Sequence, residues 1–477
     1  MNACERMPVK ITPYKHQLEG WRAALDALRS GESRGYGLFF EMGCGKSLTA
    51  IGIMGSLDIK RALVVAPSSV CPVWVRELND YADYAYDLLY PVGSCIKRAL
   101  KIQEFCRKPS DKLQIVIVNY EATWRMTQTL RTFRPEMIIC DESQKIKNPT
   151  SKQAKVLHLL GDAARYRMCL TGTPIQNKPL DFWSQYRFMA PQVFGRSYFK
   201  FKTHYAVMGG MRVNGRPVQI VGYRFLDELT QKAYTCAMRV KKADCLDLPP
   251  KTYETRLVEM TDYEQRLYRQ MQRDNIAMIG DAACTAQIVL TRLLILQRMT
   301  GGFMRPDGAD KSVQIGHSKL DALREIIEDC RDAGEKLVIF VRFTDEFDAV
   351  HELLSKLRID CASISGATPL KDRGAEVERF QSDPNCTVFV GQIEAAGTGI
   401  TLTAAGVAVF YSPTWNYATY MQAQDRTHRI GQRQECHYIH LICPGTVDED
   451  VMRALEEKKS LADLVVDGRV TLEGRHE

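Results

Sequence analysis

Two series of short apolar runs, separated by stretches whose apolar residues recur every three or four positions, organise this chain. The first series lies at 35–40, 61–66, 114–119, 137–140 and 166–170. The second lies at 336–343, 361–365, 386–390, 407–412 and 437–443. Apolar runs of four to eight residues that alternate with amphipathic helices predict parallel strands buried on both faces, so each series is expected to form one α/β lobe. Between them, residues 180–296 lose the alternation and read mostly as helices, interrupted by a glycine-bearing, strand-prone patch at 209–223. That region is expected to hold insertions and a hinge. Paired prolines at Leu248-Pro249-Pro250 mark the best boundary, because they stop helices and stiffen a connection. There is no low-complexity tract and no tandem repeat.

A chain of 477 residues exceeds what one hydrophobic core usually serves, which agrees with two lobes. Its 45% hydrophobic and 25% charged residues place it among globular proteins and exclude a fibrous or disordered class. The net charge of +7 is compatible with a polyanionic partner, although many proteins without one share it. Fifteen cysteines are scattered without a C-x-x-C pair, and Cys140 and Cys169 sit inside apolar runs as small hydrophobes. A reducing cytoplasm is therefore expected rather than disulfides or zinc. With no signal-peptide pattern near Met1 and no run of membrane-spanning length, the expectation is a soluble protein with no membrane partner.

The candidate chemistry begins at Glu41-Met42-Gly43-Cys44-Gly45-Lys46-Ser47, which follows an apolar run and opens a helical pattern. In that context backbone N–H groups of a glycine loop can wrap phosphates. Gly43, Cys44 and Gly45 would line an ATP, Lys46 would reach its terminal phosphates, and the Ser47 hydroxyl would hold Mg2+. The strict pattern asks for glycine where Phe40 stands, and a capped glycine turn is the plain alternative. Downstream, the apolar run 137–140 ends in Asp141-Glu142. One carboxylate suits Mg2+ (Asp141) and the next suits orienting and deprotonating water (Glu142), where an isolated pair would be a solvated acidic turn.

Arg426 and Arg429 lie three apart in a segment read as helical and would share one face, placed to act as arginine fingers; a solvated basic helix is the alternative. Lys145 to Lys155 carries several cations and small polar groups suited to DNA phosphates, or equally to an ordinary solvated loop. Trp74 reads as a packing residue, Trp415 is left open, and His428 reads as a hydrogen-bonded structural histidine. Thr171, Thr173 and Thr403 are loop hydroxyls suited to phosphates or to stabilising turns.

In this order the motifs resemble the Swi/Snf branch of helicase superfamily two, from about Thr12 to about Leu455. Pro13 to Gln17 looks like the adenine-reading element, 41–47 like motif I, Ala66-Pro67-Ser68 with Trp74 and Glu77 like motif Ia, 141–144 like motif II, and 170–174 like motif III. Residues 397–403 resemble motif V, Trp415-Asn416 the following turn, and 422–432 motif VI, whose Asp-Arg-x-His-Arg-Ile-Gly-Gln string is the most specific signal. Asp181-Phe182-Trp183, with Phe194-Gly195, and the stretch 239–251 resemble the branch's protrusion and interlobe connection.

The resemblance implies two RecA-like lobes at 1–178 and 336–477, a helical protrusion at 179–235, a connection at 236–260 and a helical insertion at 261–335. It implies ATP contacted by Gln17, the glycine loop, Gly399, Arg426 and Arg429, and duplex DNA contacted by Ser68, Lys147, Asn148, Thr173, Thr403 and Trp415. The implied activity is a DNA-dependent ATPase that moves on duplex DNA and acts on DNA-bound proteins or DNA structures. A monomer in the cytoplasm of a bacterium or phage-infected host is expected. Strand separation on single-stranded DNA or RNA, and a nucleotide-gated DNA clamp without turnover, are the alternatives. Departures from the family pattern stand at Phe40, Gln144, Met238 and Tyr417.

Overall fold

The computed structural model describes residues 6–176, 178–213, 216–280, 286–305, 312–369, 371–396 and 400–467, with backbone alone at 211–218, 274–290 and 460–467 wherever these fall inside those spans. The chain divides into two units, the second spanning Asp247–Glu457 and the first taking the chain before it and again from Lys458. The first contains β1 (Gly35–Phe40), β2 (Arg61–Ala66), β3 (Tyr86–Leu89), β4 (Leu113–Asn119), β5 (Met137–Asp141), β6 (Tyr166–Leu170), β7 (Ala206–Val213), β8 (Arg216–Tyr223) and β9 (Ala237–Val240).

Seven of these form one sheet in the order β3-β4-β2-β5-β6-β1-β9, and every pairing in it is parallel. Its central strands are buried throughout because helices cover both faces, which is why they read as unbroken apolar runs. Alternation along β1 sends Phe39 into one core with Leu63, Ile138 and Phe182, and Leu38 and Phe40 into the other with Val64 and Ile139. The glycine-bearing patch is an antiparallel hairpin, β7 with β8.

The second unit contains β10 (Lys251–Leu257), β11 (Phe303–Met304), β12 (Val313–Gln314), β13 (Leu337–Val341), β14 (Cys361–Ile364), β15 (Val388–Gln392), β16 (Val407–Phe410) and β17 (Cys436–Ile442). Its main sheet has the order β10-β17-β16-β13-β15-β14, again wholly parallel. Helices Asp262–Gly280 and Ala286–Thr300 pack on each other beside it and share a small core of Tyr268, Leu296, Met299 and Val447. Each of the ten apolar runs holds a strand, so the α/β class with two parallel sheets stands as expected.

The sequence reading missed β3, β9 and β10, and also the two-residue strands β11 and β12. The first three are edge strands interrupted by charged residues, Asp87 in β3, Arg239 in β9 and Glu254 and Arg256 in β10, so they lack the apolar signature of the interior. A buried ion pair was missed as well. Lys319 and Asp448 are fully buried with 2.7 Å between Nζ and Oδ2. Tyr411 O also accepts from Lys319 at 3.1 Å, and Asp448 accepts from Thr300 Oγ1 at 3.0 Å and Cys443 N at 3.3 Å. Burial works against the Lys319 ammonium, but Asp448 and its neighbours outweigh it and hold the pKa above its ordinary value.

Candidate active site

At the carboxyl end of β1 the chain makes a loop that only glycine accommodates. Gly43 and Gly45 have φ of 86° and 78°, in the left-handed region that a Cβ disfavours. A Cβ on Gly45 would also lie 2.0 Å from Gln17 Nε2. The helix Lys46–Ser56 starts there, so its first N–H groups have no partner within the helix and face the loop, a ready anion cradle. Lys46, 9% exposed, donates to the carbonyls of Phe40 at 3.0 Å and Glu41 at 3.4 Å. Its ammonium therefore lies across the loop with weak neutral acceptors that a phosphate oxygen would outcompete. Ser47 follows, half-buried.

The loop is braced from upstream. Gln17 Nε2 donates to Cys44 O at 3.3 Å, Gln17 Oε1 accepts from Tyr14 N at 2.9 Å, and His16 Nε2 lies 2.9 Å from the same Cys44 carbonyl. It is also braced from the edge strand β9 and the residues just after it. Arg239 on β9 donates to Phe39 O and Gly172 O, each at 3.0 Å, and pairs with Glu41 Oε1 at 3.0 Å. The other Glu41 oxygen accepts from Lys242 N at 3.0 Å. Alternation along β9 explains why Met238 takes no part: it packs on the core beside Gly20 while Arg239 faces the loop.

Asp141 ends β5, two strands from β1 in the sheet. Glu142 then adopts φ 52°, uncommon for a residue with a Cβ, which turns the chain sharply into the short 3-10 helix Ser143–Ile146. Both carboxylates are buried, with 4% and 8% exposure. Asp141 Oδ2 accepts from Trp74 Nε1 at 2.8 Å, its Oδ1 from Glu142 N at 2.9 Å, and its carbonyl from Tyr120 OH at 2.7 Å. Burial raises the Asp141 pKa, Glu142 beside it adds to the effect, and Trp74 and Lys46 oppose it. A crowded, desolvated carboxylate of this kind gains from a bound cation, and with the Ser47 hydroxyl it offers the hard oxygen donors that suit Mg2+. Trp74, read as packing, is wholly buried and also orients the carboxylate.

Gln144, which stands where the family pattern has histidine, donates to Glu142 Oε2 at 2.5 Å. A second polar chain, which sequence reasoning missed, runs from the end of β5 to the loop after β6. Ser143 Oγ donates to Gln185 Oε1 at 2.7 Å, and Gln185 Nε2 donates to Pro174 O at 2.7 Å and Asp181 O at 3.0 Å. Both side chains are fully buried. In that loop Thr171 Oγ1 accepts from Thr173 N at 3.0 Å, a turn-stabilising use of the hydroxyl.

The remaining first-unit candidates gather at the carboxyl ends of the strands, on the same side as the glycine loop. Ser68 follows β2, is exposed, and accepts from Asn119 Nδ2 at 2.9 Å. Lys147 follows β5, half-buried, and its Nζ donates to Gln176 Oε1; burial is the chief cause of its lowered pKa. Asn148 is exposed, and its Oδ1 accepts from Thr150 N at 3.0 Å and Thr150 Oγ1 at 2.8 Å, so the side chain shapes a turn.

In the second unit, Asn416 caps the helix Tyr417–Thr427 by accepting from Ala418 N at 3.1 Å and Thr419 N at 3.4 Å. The helix ends at Thr427, so Arg426 and Arg429 do not share a helical face as their spacing predicted. Gly431, with φ 100°, belongs to the turn that follows, closed by Gln432 N donating to Arg429 O at 3.0 Å. The two guanidinium groups nevertheless converge, each donating to Ile400 O at 3.1 Å, and Arg429 also to Thr401 Oγ1 at 2.9 Å. Arg426 is buried at 2% exposure. Gly399 lies outside the described residues.

His428 Nε2 lies 2.9 Å from Pro249 O, a structural bond that holds the proline pair. Thr403 Oγ1 accepts from Gln381 Nε2 at 3.1 Å. Trp415 is half-buried against the Tyr268 and Leu296 core. Tyr417 is buried in the first turn of its helix.

Comparison with known proteins gives two family matches: the SNF2-related domain over residues 16–301 and the helicase conserved C-terminal domain over 318–431. The uncharacterized ATP-dependent helicase MG018 of Mycoplasma genitalium is 26% identical over 455 residues, 94% of this chain and 41% of that protein. The DNA repair and recombination protein RAD54-like of Drosophila ananassae is 24% identical over 500 residues, 96% and 63% of the two chains. The chain thus spans less than two thirds of these relatives. A solved structure described as the Sulfolobus solfataricus SWI2/SNF2 ATPase core in complex with dsDNA is 27% identical, with TM-score 0.46 over 98% of this chain and 96% of that one.

Proposed function

This chain belongs to the SNF2-related family, the Swi/Snf-type ATPases of helicase superfamily two, and we propose that it hydrolyses ATP in response to duplex DNA and moves along it. The observation that carries the reading is the buried Asp141–Glu142 pair, positioned by Trp74 and Gln144 in the same sheet whose glycine loop presents Lys46.

In this mechanism the loop N–H groups and Lys46 bind the phosphates, and Gln17 sits at the adenine side. Mg2+, held by the Ser47 hydroxyl and the Asp141 carboxylate, would neutralise phosphate charge. Glu142, its carboxylate fixed by Gln144, orients the attacking water and accepts its proton. Arg426 and Arg429, presented with Gly399 by the second lobe, stabilise charge on the transferring phosphoryl group when the lobes close. Closure then favours one grip on DNA over another, through Ser68, Lys147, Asn148 and Thr173 on one lobe and Thr403 and Trp415 on the other. Hydrolysis resets that bias. Repeated cycles would displace DNA-bound proteins or remodel DNA structures.

The test is steady-state ATP hydrolysis with no nucleic acid, duplex DNA, single-stranded DNA and RNA, beside Glu142→Gln. Stimulation greatest with duplex DNA, abolished in the variant, is the expected result. Greater stimulation by single strands or RNA favours strand separation, and ATP-dependent DNA binding without turnover favours a clamp.

A further inference from the structure

At the amino-terminal end of the first sheet, away from the glycine loop, lies a solvent-open concavity of about 430 Å³. Arg34, just before β1, and Arg167, the second residue of β6, stand side by side there, since Arg167 N donates to Arg34 O at 2.9 Å. Arg167 is 5% exposed, yet its Nε is buried without a partner and its Nη1 makes only a 3.4 Å bond to Gly161 O. Burial lowers the Arg167 pKa and the nearby Asp162 carboxylate opposes it, but Arg167 shares that carboxylate with Arg187 and Arg196, and it lies beside a cavity large enough for a ligand.

The rim adds exposed Arg34, Arg196 and Gln192, whose Nε2 donates to Ser33 Oγ at 3.1 Å. Two carboxylates also line it. Asp162 is already committed, to Arg187 at 2.8 Å and Arg196 at 3.1 Å, and hydrogen bonds from Arg187 are the chief cause of its lowered pKa. Glu32 is exposed. Among the lining residues Arg34, Arg167 and Arg196 thus outnumber Asp162 and Glu32, leaving one positive charge in excess.

We propose that this concavity is an oxoanion site for a phosphate group, with Arg167 at its base and Arg34 and Arg196 at its rim. It is separate from the nucleotide site: β1 and β6 enter the sheet beside it and leave the sheet at the glycine loop and at Thr171. Six strand residues span roughly 20 Å. The phosphate comes either free or as part of a nucleic-acid backbone, and guanidinium groups recognise both in the same way.

Calorimetric titration of the full chain carrying Lys46→Ala with inorganic phosphate, pyrophosphate and a short duplex DNA tests this without interference from the glycine loop. Free phosphate or pyrophosphate should bind, and Arg34→Ala with Arg196→Ala, both surface changes, should weaken binding roughly tenfold or more. If those ligands are silent but the same pair of changes weakens duplex binding and reduces its salt dependence, the site takes backbone phosphate. Arg167→Met supplies a second readout: phosphate should raise the melting temperature of the Lys46→Ala chain and not of the chain that also carries Arg167→Met. Phosphate, pyrophosphate and duplex binding all unchanged by the rim substitutions would overturn the proposal, whatever the ATPase activity of the parent chain.

Discussion

Replacing Trp74 by Phe isolates one hydrogen bond at the heart of the site. The indole is wholly buried, and its N–H donates to Asp141 Oδ2 at 2.8 Å. Phenylalanine keeps most of the packing and removes the donor. A hydrogen bond to a charged group contributes about 1.5–3 kcal/mol, and this one favours the ionised carboxylate. At 1.36 kcal/mol per unit, its loss should raise the Asp141 pKa by about 1–2 units above a value that burial and Glu142 already lift.

Hydrolysis that needs ionised Asp141 is lost at neutral pH and regained as pH climbs through the new, higher pKa. Metal competes with the proton for the same oxygen, so raising Mg2+ should pull the acidic limb of the variant back toward wild type. The assay is steady-state hydrolysis at saturating ATP against pH and Mg2+, with thermal unfolding as a check that the variant is folded. If Trp74 serves packing alone, activity falls by one factor at every pH. An acidic limb and Mg2+ dependence identical to wild type would refute the hydrogen-bond argument.

Arg239→Ala frees Glu41 from its ion pair and leaves the Phe39 and Gly172 carbonyls without that donor, so the loop should loosen and ATP affinity fall roughly tenfold, read by equilibrium binding of a fluorescent nucleotide. Gln185→Leu orphans the buried Ser143 hydroxyl at a cost of about 1–3 kcal/mol; in a double-mutant cycle with Ser143→Ala, the combined loss of stability and of DNA-stimulated hydrolysis should be smaller than the sum of the single losses. Asp448→Ala strands a buried Lys319 ammonium and should destabilise the second unit by about 3–5 kcal/mol in chemical denaturation, with much of that recovered by adding Lys319→Met.

Interior strands were legible because a parallel sheet covered on both faces demands continuous apolar runs, and those runs stand out in any window of the chain. The glycine loop and the Asp141–Glu142 pair were legible for a related reason. Each is fixed by residues adjacent in sequence, where one backbone turn sets the spacing. Edge strands were not, because β9 and β10 borrow their pairing from β1 and β17, almost two hundred residues away in each case, and carry no pattern of their own.

The same division holds among the side chains. Sequence alone determined the two α/β lobes, the glycine loop with Lys46, and the two carboxylates at the end of a strand. Only the tertiary structure decided that Trp74 orients Asp141, that Gln144 fixes Glu142, that Arg239 clamps the loop through Glu41, and that Arg426 and Arg429 meet at Ile400 although the helix stops between them. A hydrogen bond depends on a few tenths of an ångström between groups brought together by the packing of several elements. Periodicity records which face of an element is buried, and it carries no information about which partner waits there.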